Sequence, residues 1–85
     1  SRNNGFIFPH SSQRKLTVDE VTGLGGDVAQ DAINEIYARH GYVFKTKSIQ
    51  KYYESQSWYH KNYNFSESDF SEIESYNIGL LRKYN

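Results

Sequence analysis

Glu35, Arg39 and His40 lie close together in the stretch NEIYARHGYVF, residues 34–44. A carboxylate, a permanent cation and an imidazole are the ingredients of acid–base chemistry. Helical spacing separates them. Glu35 and Arg39 are four apart with the acid first, the favourable order for a surface ion pair. At about 100° per residue, His40 sits about 140° round the helix from Glu35. A direct Glu–His dyad within the helix is therefore poor. Glu35 is expected on the wet face and His40 on the apolar stripe, bonded to a carbonyl or hydroxyl inside the fold. Arg39 falls between, and its partner is either Glu35 at the surface or a group further in. An enzyme built on His40 would need an acid from elsewhere in the fold.

Asn77 interrupts the apolar stripe of the last helix, and a buried amide must find partners. It is expected to tie that helix to another backbone segment, with the loop after Gly41 or His40 as candidate partners. His40, Asn77 and Asn34 together form the expected structural polar network. Other chemistry finds no support. His10, His40 and His60 share no metal-ligand spacing, and the chain has no Cys, so no metal site is expected. "GLGGD" lacks the Lys-Ser/Thr of a phosphate loop, and no Ser stands in a nucleophile elbow. The expectation is no catalytic residue, no cofactor and no enzyme. Asn64-Phe65-Ser66 matches the N-glycosylation sequon, a pattern too short to weigh much.

The best binding candidate is aromatic. Tyr52, Tyr53, Trp58, Tyr59, Tyr63 and Phe65 crowd into fourteen residues, with His60 and Lys61 between them. Rings with polar tips suit surfaces that are both apolar and wet. Tyr52 and Trp58 are read as core, whereas Tyr59, His60 and Tyr63 are open to either role. The candidate ligand-binding set is Trp58, Tyr59, His60, Tyr63 and Arg39.

The elements that position these residues read as helices. Thr17 and Glu20 have capping-box spacing ahead of a short helix over 17–24, stopped by Gly25-Gly26. A second helix over 27–40 is capped by Asp27 and Gln30, presents Ala29, Ile33, Ile36, Tyr37 and His40, and closes at Gly41. A third spans 47–57, with Ile49, Tyr52, Tyr53 and Gln56 on one face. The last spans 67–84 behind a Ser66 or Ser68 cap, with Phe70, Ile73, Asn77, Leu80, Leu81 and Tyr84 inward. Ahead of them, Asn4-Gly5 marks a turn and Pro9 biases Phe8 to extended geometry. An arm over 1–16 thus lays Phe6 or Phe8 on the core, unless the terminus frays. The fold class is all-α: a compact bundle of three to four short helices with an extended N-terminal arm, a single domain over 1–85.

Composition agrees with a small globule. Of 85 residues 36% are hydrophobic and 16% aromatic, so the rings must supply much of a thin core. Ten basic and ten acidic residues balance, which argues against nucleic acid and anionic membrane as partners. No run is long enough to span a membrane. The chain lacks Met and starts at Ser1, which is expected of a domain cut from a larger protein.

Tyr37-Ala38-Arg39-His40-Gly41 spells YARHG, and the chain resembles the YARHG domain. "FIFPHSSQRKLT", "AINEIYARHGYVF", "YYESQSWY" and "YNIGLLRKYN" are similar to that family in the same order, over nearly the whole chain. His10 stands where members often have Asp, so no role is carried to it. The resemblance implies an extracytoplasmic bacterial domain of secreted or membrane-anchored proteins, with no catalytic activity attached. Combined with the aromatic connector, it leads to the expectation of a monomeric, non-catalytic module that binds a peptidoglycan fragment or other glycan. The alternative is a protein-interaction or spacer module beside a sensor or enzyme domain.

Overall fold

The computed structural model describes residues 5–84; Asn4 of the expected Asn4-Gly5 turn lies outside them. Four α-helices run α1 (Val18–Val21), α2 (Gly26–Arg39), α3 (Lys47–Glu54) and α4 (Glu72–Lys83), with a 3-10 turn at Glu67–Asp69 and no strand among the described residues. The fold is an all-α bundle, as the periodicity predicts.

The central element is α2. Ala29, Ala32, Ile33 and Ile36 meet Leu16, Val21, Ile78 and Leu81 in the main core, so α2 packs chiefly on α4. A second cluster of Ala38, Tyr53 and Tyr59, with Phe44, Ile49 and Trp58 against it, fastens α3 to the far end of α2.

Local signals explain the boundaries. At α1, Thr17 and Glu20 form the expected capping box, but the helix is only four residues long. It gives way to Gly23 and Gly25, whose φ angles of 85° and 84° lie in the left-handed region. The second turn starts α2 at Gly26 rather than behind Asp27, so Asp27 sits in the first turn, favourable to the dipole, and Gln30 bonds Asn34 instead of capping. The third helix ends at Glu54, three residues early, and Tyr52 stands 53% exposed rather than in the core.

The expected helix over 67–84 is two pieces. Ser66 with Asp69 and Ser71 with Glu74 each make a complete capping box, so the chain restarts at Ser71. The break leaves Phe70 extended, and its ring enters edge-on against Tyr37 at 4.9 Å and His40 at 5.0 Å.

The arm lies on the core, with Ile7 and Phe8 packed against it. It is less extended than expected: residues 8–14 coil through turns closed by Ser11 N–H to Phe8 O and Gln13 and Arg14 N–H to His10 O.

Candidate functional site

The YARHG stretch forms the joint of the fold. Gly41 has φ 81°, and Tyr42 N–H and Gly41 N–H bond Tyr37 O and Ala38 O, the paired bonds of a Schellman closure. Glycine is required there a second time. A Cβ would overlap the His60 carbonyl oxygen and lie 2.7 Å from Asn62 Cβ. The connector docks at that point, with Asn62 N–H donating to Gly41 O at 2.9 Å and Asn62 Nδ2 to His40 O.

The other four residues each hold a different segment. Tyr37 places its ring among Tyr42, Phe65 and Phe70. Its hydroxyl accepts from Arg82 and donates to Glu67, both at 3.1 Å. Ala38 is buried under Tyr53 and Tyr59. His40 Nε2 bonds the Glu74 carboxylate at 2.9 and 3.0 Å. The expected carbonyl or hydroxyl partner is therefore corrected to an acid from α4. Burial pushes the Glu74 carboxyl up, but Ser71 N–H, the Ser12 hydroxyl and His40 outweigh it and hold the group below its ordinary range.

Glu35 corrects the amphipathic reading. It is 6% exposed, because the arm covers the face of α2 that spacing alone assigns to water. Its carboxylate accepts Ile7 N–H at 2.7 Å and Phe8 N–H at 3.4 Å. Arg39 also turns inward. It donates to Phe8 O at 2.9 Å and to the Ser11 and Ser12 hydroxyls at 2.7 and 2.9 Å, while Glu35 is 4.0 Å away. Burial draws the guanidinium below its ordinary pKa, opposed by the charges of Glu35 and Glu74.

Asn77 completes the grip on the arm. It accepts Leu16 N–H and donates to Ser11 O and Arg14 O. Its partners are thus the arm, not the loop after Gly41 and not His40. The three residues do not bond one another: His40 ties to Glu74 of α4, which also takes the Ser12 hydroxyl of the arm, Asn77 ties to the arm, and Asn34 to Gln30.

The candidate ligand-binding residues do not converge on one surface. Trp58 and Arg39 meet on Phe6: the indole lies 4.8 Å from that ring and the guanidinium 4.4 Å above it. Trp58 Nε1 is buried without a hydrogen-bond partner among the described residues. Tyr59 is in the second core, its hydroxyl donating to Tyr42 O at 2.7 Å. The His60 and Tyr63 side chains are exposed, Tyr63 at 79%.

A groove lies instead along α2 and α3. One cleft of about 350 Å³ includes Asp31, Asn34, Glu35, Ile49, Tyr52 and Tyr53 in its walls. A second of about 440 Å³ runs past Asn34, Tyr37, Tyr42, Phe44, Ile49 and Arg82. They share Asn34 and Ile49. Neither His40 nor Glu74 lines them. Among the described residues, no three His, Cys, Asp or Glu side chains are placed to hold a metal ion.

Sequence reasoning missed Glu74, although Ser71-x-x-Glu74 is a readable capping box that marks that acid as ordered. It also missed the groove, because Asp31, Ile49 and Tyr52 are far from Tyr37 and Phe44 in spacing rules confined to one helix.

Comparison with known families matches the YARHG domain over residues 4–85. No curated protein and no solved structure gives a significant match.

Proposed function

This chain belongs to the YARHG domain family, and from that premise we propose that it is a non-catalytic extracytoplasmic module that binds an envelope glycan in the groove between α2 and α3. The observation that carries the reading is the meeting of two clefts at Asn34 and Ile49, with tyrosine rings on both sides and carboxylates at one end. Ring faces beside a few placed polar groups are the make-up of a small-ligand site, and they match a sugar's apolar face and hydroxyls. The half-exposed Tyr52 ring offers such a face. The non-catalytic reading draws support from His40, whose Nε2 is engaged by Glu74 away from the groove. No helix among the described residues is long and apolar enough to cross a membrane.

Titration of the labelled chain with muropeptide and with chitin-type oligosaccharides, followed by amide NMR, tests this. The expected shifts cluster on Asp31, Asn34, Ile49 and Tyr52 and are lost in Tyr52→Ala. Absence of shifts at millimolar ligand, or shifts confined to Trp58–Tyr63, would refute the groove.

A spacer or protein-interaction role is the second reading. It is favoured by the signature itself, all of whose residues are engaged in internal ties. Groove shifts produced by a neighbouring domain of the parent protein, and by no glycan, would select it.

A further inference from the structure

Resting on the glycan-binding reading, we infer that the glycan is an acidic one, and that the cleft lined by Lys45 and Arg82 holds a sugar carboxylate. These two cations come from opposite ends of the fold, Lys45 from the turn ahead of α3 and Arg82 from the last turn of α4, and they line one space of about 440 Å³. Lys45 is exposed, and its ammonium enters no hydrogen bond, ion pair or ring contact among the described residues. Arg82 donates to the Tyr37 hydroxyl at 3.1 Å. No acid lies within ion-pair distance of its guanidinium among the described residues, so most of its five N–H donors face no protein acceptor.

The neighbouring acids decide which anion fits. Glu67 lines the same cleft, and its carboxylate takes the Tyr37 hydroxyl proton at 3.1 Å, so Tyr37 stands between Glu67 and Arg82. Two cations against one carboxylate leave a single positive charge uncompensated in the cleft. A carboxylate, with one negative charge, balances it. A phosphate dianion would leave surplus negative charge beside Glu67. The planar fork of Arg82 also suits the two oxygens of a carboxylate, with Lys45 as a second point charge. Asp31 lines the other cleft, which no Lys or Arg lines, and so directs an acid away from that end and towards Lys45.

The walls between the cations suit a sugar. Tyr37, Tyr42 and Phe44 are half-buried and line the cleft in a row, with ring centroids 5.2 and 4.8 Å apart and successive rings edge-on. Such rings offer apolar contact to the C–H groups of a pyranose, while the cations take the acid that the ring carries. An acidic peptide brings the same carboxylate, but it lacks a broad C–H face for that row.

The test titrates the labelled chain, by NMR, with three probes: the trimer of α-1,4-linked galacturonate, the same trimer as its methyl ester, and tricarballylate, which carries three carboxylates and no ring. The acidic trimer is expected to move the Lys45 amide and Arg82 side-chain signals and to bind at least fivefold more tightly than either of the others. Lys45→Gln removes an exposed charge with no protein partner, and it should bring the acid and ester trimers to within about twofold of each other. An unchanged preference in that variant, or an ester that binds the groove as well as the acid, would overturn the acidic-sugar inference and leave the glycan reading standing. Tricarballylate binding as tightly as the acidic trimer, or no shift with any probe, would overturn both.

Discussion

Asn77→Asp exchanges one side-chain nitrogen for oxygen at a position with 0% exposure. The acceptor for Leu16 N–H, now at 2.8 Å, is kept. The donors to Ser11 O at 2.8 Å and Arg14 O at 2.9 Å are lost. A buried polar group left without its partner costs about 1–3 kcal/mol. Two orphaned carbonyls that water partly recovers give about 2–4 kcal/mol, and an ionised Asp facing both would add to it. A chain this long has a total stability of about 4–13 kcal/mol, so the change removes a large part of it. At about 4–8 °C per kcal/mol, the midpoint of thermal unfolding should fall by about 10–25 °C. Urea unfolding at pH 7 measures the loss, and hydrogen exchange at Leu16 N–H locates it, since that amide is released when the arm detaches. A loss below about 1 kcal/mol with Leu16 exchange unchanged would refute the idea that Asn77 holds the arm.

Gly41→Ala and Gly23→Ala form a pair: both have positive φ, but only Gly41 faces backbone atoms, while nothing lies within 4 Å of an added Cβ at Gly23. The left-handed conformation alone costs about 1–2 kcal/mol, so Gly23→Ala should lose about that much and Gly41→Ala clearly more; equal losses in urea would remove the close-approach argument. Arg39→Lys keeps the charge but not the planar fork that reaches Phe8 O and both serines. Thermal melts should show a loss of about 2–4 kcal/mol, since hydrogen bonds to a charged group contribute about 1.5–3 kcal/mol each; a loss near the few tenths expected of an exposed ion pair would contradict the buried clamp. The folded-state pKa of Glu20 falls to about 2 from an ordinary 4.5, chiefly through Arg14 and Thr17, and that of Glu74 is also lowered. Groups depressed on folding stabilise above the unfolded pKa and lose that contribution as pH falls. The urea midpoint should therefore decline from about pH 4.5 towards pH 2, less steeply in Glu20→Gln and Glu74→Gln; a flat profile would contradict both ties.

Spacing within one helix was enough for much of the fold. Thr17-x-x-Glu20, the α2 core positions Ala29, Ile33 and Ile36, and Gly41 as the left-handed closure can all be read from neighbours in the chain, because caps and helix faces depend on residues a turn apart. The split of the last helix was legible too, once Ser71 and Glu74 are read as a second capping box.

The same rules placed Glu35 in water and left Arg39 undecided, since an amphipathic pattern assumes one buried face. Residues 7–16 cover another face of α2, and only that tertiary contact gives Glu35 two backbone amides and Arg39 its carbonyl and hydroxyls. The aromatic connector had the right composition for a binding surface, but Gly41 lets it approach closely, and Trp58 and Tyr59 are drawn into packing. Asn34 was legible as a polar residue in need of partners. That it lines both clefts depends on where α3 docks, across Ala38 and Tyr53, which are fifteen residues apart in the chain. Local sequence determined the helices and their ends; long-range packing determined which polar groups are held inside, because the partners that hold them come from segments distant in the chain.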